Sequence, residues 1–177
     1  MDLQDFDGET MYFDEQLPED VNNLVEMASE LYADGNAEVP LLKAFFLAPQ
    51  SLSVLVALYR FYYYQHQYQN ALIAAHSAMK IVANKLSLPV GWQEMNINTL
   101  GYGIMQSMTL VRFYLLALKG AGYLNLRLGN IDTGIEMLKK VIELDAEDRL
   151  GAAALLQTVK EYERQHADEI GELSVAS

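Results

Sequence analysis

No cysteine occurs among the 177 residues, which excludes disulfides, thiolate nucleophiles and thiolate metal sites. There are only three histidines, His66, His76 and His166, and their spacing pairs none of them on one helix face. The acids of the first twenty residues lack the spacing of a calcium-binding EF-hand loop. Gly101-Tyr102-Gly103 is followed by no Lys-Ser/Thr pair and sits in no βαβ pattern, so it is no phosphate loop. The expectation is no metal, no cofactor and no enzyme. Bases are also scarce: 12 Lys and Arg stand against 24 Asp and Glu, a formal net charge of -12. Nucleic acid is therefore not expected as a partner, because phosphate binding needs basic surface. No apolar run reaches the roughly 18 residues of a membrane span, and the longest candidate, around Leu52, is interrupted by Arg60. The opening MDLQDFDG is acidic where a secretory leader needs bases. These features together predict a cytoplasmic protein with no membrane partner.

What the chain does have is apolar content, 51%, enough for a core in one domain or one repeat array. Its period is helical. Leu24, Met27, Ala28 and Leu31 follow i, i+3, i+4, i+7 after Pro18, and Asp34-Gly35-Asn36 reads as a turn. A helix from about Pro40 to Leu47 follows. Ser51 suits an N-cap, and Leu55, Leu58, Tyr59 and Tyr62 give the inward stripe of the next helix. His66-Gln67-Tyr68 reads as its turn, and Ala71, Ala75 and Ala78 as the small packing residues of its partner. Leu88 to Gly91 reads as loop. From about Asn98 the pattern Leu100, Ile104, Met108, Val111, Leu115 predicts one long helix ending near Leu128, weakened at its start by Gly101 and Gly103. The segment Leu115–Asp148 is the clearest of all: two amphipathic helices around the breaker Gly129-Asn130.

That segment resembles a tetratricopeptide (TPR) repeat. Leu118, Ala121 and Gly122 stand where the family has Trp, Leu and Gly; Gly134, Leu138 and Val141 stand at the small, large and small packing positions of the second helix. Ala146 replaces the Pro of the usual exit. The resemblance implies an all-α, right-handed helical-repeat superhelix with a C-terminal capping helix. Its divisions are an acidic flexible tail over 1–17 and a domain over 18–167, followed by a flexible C-terminus over 168–177. Within the domain lie repeats at about 21–50, 52–85 and 115–148, an insertion at 86–114, and the capping helix at about 149–166.

In that family the first helix of each repeat lines a concave groove. The positions that line it correspond here to Asn22, Val25, Ser29 and Tyr32; then to Ser53, Val56, Arg60, Tyr63 and Tyr64; then to Leu116, Lys119, Tyr123, Leu126 and Arg127. From these the candidate peptide-binding residues are Val25, Tyr32, Arg60, Tyr63, Tyr64, Lys119, Tyr123 and Arg127. Bases and tyrosines with no acid suit an acidic, aromatic-bearing peptide. Of the family's carboxylate clamp only Lys119 matches: Val25, Ser29, Arg60 and Tyr123 stand where that clamp has Lys, Asn, Asn and Arg, so clamp activity is not implied.

Charge is segregated along the chain. Residues 1–38 carry twelve acids and no Lys or Arg, residues 39–131 carry seven bases and one acid, and residues 132–177 carry eleven acids and five bases. The tail also interleaves Phe6, Tyr12 and Phe13 with its acids. It is either a free solubilising tail or a competitor for its own groove or that of a second copy. The functional expectation is an interaction module, adaptor or assembly factor that binds a protein or peptide. Two alternatives stay open. One is a dedicated chaperone similar in architecture to class II chaperones of type III secretion; the other is a structural, self-associating homodimer.

Overall fold

A computed structural model describes residues 15–175, with the backbone alone for Glu163 and 166–175. Seven α-helices occur among the described residues, and no strand: α1 (Glu19–Glu30), α2 (Glu38–Leu47), α3 (Leu52–Tyr64), α4 (Tyr68–Lys85), α5 (Ile97–Arg127), α6 (Ile131–Leu144) and α7 (Ala152–Val175). A short 310 turn, Trp92–Glu94, lies in the connection before α5. Each helix packs against the one that follows it. The protein is therefore all-α.

The turns repeat more faithfully than the sequence. After α1, Asn36 N–H bonds the Leu31 carbonyl and Gly35 N–H bonds that of Tyr32. The same pair of bonds recurs after α3, from Gln67 to Tyr62 and His66 to Tyr63, and after α5, from Asn130 to Asn125 and Gly129 to Leu126. In each, the residue before the last donor is left-handed: Gly35 at φ 72°, His66 at 57°, Gly129 at 82°. This double bond satisfies the last free carbonyls of a helix and reverses the chain. Three helical hairpins thus close with one geometry, and the turn after α4 shares it, from Leu88 to Ala83 and Ser87 to Asn84 with Ser87 at φ 51°. Only two of these four turns carry the glycine that the geometry favours.

α1 and α3 lie side by side and run the same way. Glu15, just before α1, bonds Ser51 and Ser53 at the start of α3, while Tyr32, just beyond α1, packs edge-on against Phe61 and Tyr64 at its end. The late part of α5 joins this row through Tyr63 and Tyr123, whose rings lie 6.2 Å apart. The core behind these helices is built from Leu41, Leu55, Phe61, Phe113, Tyr114, Leu118 and Leu138, all nearly inaccessible.

α5 differs from the single long helix the period predicts. It breaks at Ser107, which is extended (φ -160°, ψ 103°), and the Ser107 hydroxyl accepts from Leu110 N–H as an N-cap would. The glycine at 103 has a role there, since a Cβ on it would come within 2.9 Å of Val111 across the bend. Beyond the bend, α5 crosses α6 at two glycines: a Cβ on Gly134 would lie 2.9 Å from the Gly122 carbonyl oxygen and 2.7 Å from Leu126. Helix–helix approach this close requires hydrogen at Gly134, while a Cβ on Gly122 would sit 3.2 Å from the Met137 Cβ and need its neighbours to give.

At the C-terminus, α7 continues to Val175 rather than stopping near 166; Glu, Ala, Gln and Arg in 157–169 favour a helix and no proline interrupts it. The expected tail over 1–17 lies outside the described residues except for its last three. Among those, Glu15 is tied to the body by its two bonds to α3, and Leu17 packs against the core.

Candidate functional site

Between α1 and α3 lies a cavity of about 720 Å³. From α1 and the residues after it come Val25, Ala28, Ser29, Tyr32 and Ala33; Leu41 of α2 closes the back, and α3 supplies Ala57, Arg60 and Tyr64. The space exists because Ala28, Ala33 and Ala57 end at Cβ where two parallel helices would otherwise fill the gap. The cavity lining holds one base and no acid. Its Tyr32 hydroxyl is buried and finds no hydrogen-bond partner among the described residues. A buried phenol without an acceptor is costly. Burial raises the Tyr32 pKa above its ordinary value, more than the nearby Arg60 charge lowers it, so the proton stays on the oxygen.

From the cavity a chain of rings runs toward α5. Tyr32 meets Tyr64 at 6.4 Å, Tyr64 meets Tyr63 at 5.5 Å, and Tyr63 meets Tyr123 at 6.2 Å and Tyr68 at 6.1 Å. At the far end Arg127 lies over the Tyr68 ring, 4.6 Å from its centroid, and donates to the Tyr123 hydroxyl at 2.8 Å. Edge-to-face and tilted rings, with a guanidinium over one of them, make mutually favourable contacts along the row. Tyr59 and Tyr62 face inward, and the Tyr62 hydroxyl bonds Glu38 at 3.1 Å. Tyr64 is 48% exposed.

Of the residues the sequence singles out, Val25, Tyr32, Arg60 and Tyr64 line the cavity, and Tyr63, Tyr123 and Arg127 form the ring cluster beside it. Lys119 does not join them. Its ammonium bonds the Leu150 carbonyl at 2.7 Å, fastening α5 to the loop before α7. Val56 and Leu116 are buried rather than groove-facing. Sequence reasoning missed Ala28, Ala33, Leu41 and Ala57 as cavity walls, and Tyr68 as the ring under Arg127. Small residues at those positions are a signal only once the partner helix is known.

The Glu15 carboxylate sits at the positive end of α3, accepting from the Ser51 hydroxyl and Ser53 N–H, each at 2.9 Å. Burial pushes its pKa up, but these bonds and the Lys85 charge outweigh that and hold it below the ordinary 4.5. A second apolar surface lies on the first part of α5, where Ile97, Tyr102, Met105 and Met108 are exposed in a stretch without charge from Met95 to Val111. Among the described residues, no helix is long and apolar enough to cross a membrane.

No family model matches the chain, and no solved structure matches it. A curated relative does: a protein of Azotobacter chroococcum mcd 1, described as an uncharacterized 19.8 kDa protein in nifW 5'region. It is 51% identical over 162 residues, which span 92% of this chain and 90% of the relative. Identity of that extent over nearly both lengths places this chain in the same family as the 19.8 kDa protein in the nifW 5'region of Azotobacter chroococcum mcd 1.

Proposed function

We propose that this protein is a TPR-like interaction module that binds an acidic, aromatic-bearing peptide segment in the cavity between α1 and α3 and along the adjoining row of tyrosines. The observation that carries the reading is the cavity lining itself: apolar walls, an Arg60 guanidinium and an unpaired Tyr32 hydroxyl, with no acid. Apolar walls take up an aromatic side chain, while Arg60 and Tyr32 offer donors to a neighbouring carboxylate. The succession of helical hairpins, each helix packed on the next, supports the TPR-like description.

The test is fluorescence anisotropy of a labelled peptide with Phe or Tyr flanked by Asp and Glu, against a control in which Lys replaces the acids. The full chain should bind the first and not the second. Ala57→Phe, which fills the cavity, and Arg60→Glu should each weaken binding at least about tenfold, with helical content unchanged by circular dichroism. Binding that is indifferent to both substitutions overturns the assignment.

A second reading, self-association, is favoured by the exposed apolar residues of α5. Sedimentation equilibrium decides it: a dimer that Met105→Lys dissociates supports it, and a monomer at all concentrations refutes it.

A further inference from the structure

The described chain begins beside the N-terminal end of α3, ahead of the cavity. Glu15 is pinned to Ser51 and Ser53 at the start of α3, and the residues of α3 that line the cavity lie further along the same helix. At 1.5 Å per residue, Arg60 is about 10 Å and Tyr64 about 17 Å from Ser53. The fourteen residues that precede Glu15 can extend to roughly 46 Å, so they reach past the whole cavity. Their composition is the complement of its lining. They hold the acids Asp2, Asp5, Asp7, Glu9 and Asp14, the rings Phe6, Tyr12 and Phe13, and no Lys or Arg. The lining offers Arg60, the unpaired Tyr32 hydroxyl and apolar walls set by alanine. The acids of α1 that lie closest in sequence, Glu26 and Glu30, are exposed and are not part of that lining.

We propose that residues 1–14 are an intramolecular occupant of the α1–α3 cavity, with an aromatic side chain in the apolar space and an acid on Arg60 and Tyr32, so that a partner peptide must displace them. This rests on the cavity being a peptide site. Tethering supplies the segment at an effective concentration on the order of millimolar, so a weak intrinsic affinity keeps the site filled. A partner peptide then binds tightly only when it outcompetes that concentration, which makes the segment a filter for affinity. The Glu15 anchor fixes the point from which the segment starts, at the head of α3.

The cysteine-free chain gives a direct test. A single Thr10→Cys substitution spares every acid and ring, and a nitroxide on it broadens amide signals of whatever lies near. In the full chain, the signals of Val25, Ser29 and Tyr64 should lose most of their intensity while those of Leu138 and Val141 in α6 keep theirs. Adding Phe6→Ser, Tyr12→Ser and Phe13→Ser should restore the lost signals and tighten binding of the acidic-aromatic peptide about tenfold. Unchanged intensities around the cavity overturn the proposal. If the peptide nevertheless binds in a way that Ala57→Phe abolishes, the peptide-site reading stands without it; if the peptide also fails to bind, both fall. Broadening seen only when spin-labelled and isotope-labelled copies are mixed overturns the intramolecular assignment in favour of a second copy.

Discussion

The guanidinium of Arg127 rests 4.6 Å from the centroid of the Tyr68 ring. The two residues lie on different hairpins, and their contact joins α5 to the start of α4. It also fixes the outer end of the tyrosine row, since Arg127 donates to Tyr123 at the same time. Arg127→Ala should therefore loosen the row more than the fold. An exposed cation over a ring contributes about 0.5–1 kcal/mol, so the thermal midpoint should fall by only a few degrees. Peptide affinity should fall several-fold, and Arg127→Lys should recover little of it, because ammonium cannot both stack and hold the planar hydrogen bond. A titration of the three proteins with one labelled peptide checks this; full recovery by Lys contradicts it.

The α5–α6 crossing predicts opposite effects for two glycine-to-alanine changes. Gly134→Ala places a methyl against the Gly122 carbonyl and Leu126, and overpacking of that kind costs about 1–3 kcal/mol. Gly101→Ala meets no atom within 4 Å and should stabilise by up to about 1 kcal/mol through helix propensity. Urea unfolding midpoints measure both, and a neutral Gly134→Ala contradicts the close crossing.

The turn after α3 carries a histidine where the turns after α1 and α5 carry glycine. His66→Gly should stabilise by roughly 0.5–1 kcal/mol, since a side chain in the left-handed region is strained. The loss of its bond to the Tyr68 hydroxyl, at 2.9 Å and exposed, offsets little. Gly129→Ala should move the midpoint the other way by about 1 kcal/mol. Equal and opposite shifts in chemical denaturation are the expected result.

Two buried phenols separate a bonded hydroxyl from an unbonded one. Both are pushed up to about 12, Tyr114 by burial alone and Tyr62 by burial together with its bond to Glu38. The Tyr114 hydroxyl has no hydrogen-bond partner among the described residues. Tyr114→Phe should therefore be neutral or stabilising by about 1 kcal/mol, whereas Tyr62→Phe should cost about 1 kcal/mol. A destabilised Tyr114→Phe would show that its oxygen is bonded in solution.

Glu15 gives the pH prediction. Its folded pKa lies below the ordinary 4.5, so its attachment to α3 contributes stability above that value and loses it as the pH falls through the folded pKa. Carbon-13 NMR of the carboxyl should place its midpoint below 4.5 in the folded chain, and Glu15→Gln should remove that pH dependence from the region. A midpoint at or above 4.5 refutes the attachment.

The helices were legible from the chain alone because their information is local. Periodic apolar residues, Ser51 before α3 and Gly129-Asn130 after α5 act within one or two turns, and the elements form where those signals place them. So was the inward facing of Tyr59 and Tyr62, since a helix turns about 100° per residue and sorts its own faces. The break at Ser107 was not legible. Leu100 to Leu115 keeps a helical period straight through it, and only packing of Gly103 against Val111 and the bond from the Gln106 amide to the Leu86 carbonyl make the bend visible. Lys119 shows the same limit. Its position on α5 was clear, but a long flexible side chain goes to the acceptor that the fold presents, and that was the Leu150 carbonyl, 31 residues away. The cavity is tertiary in the strictest sense. Ala28, Ala33 and Ala57 are ordinary small residues in one dimension, and they become a binding space only when α1 and α3 are laid side by side.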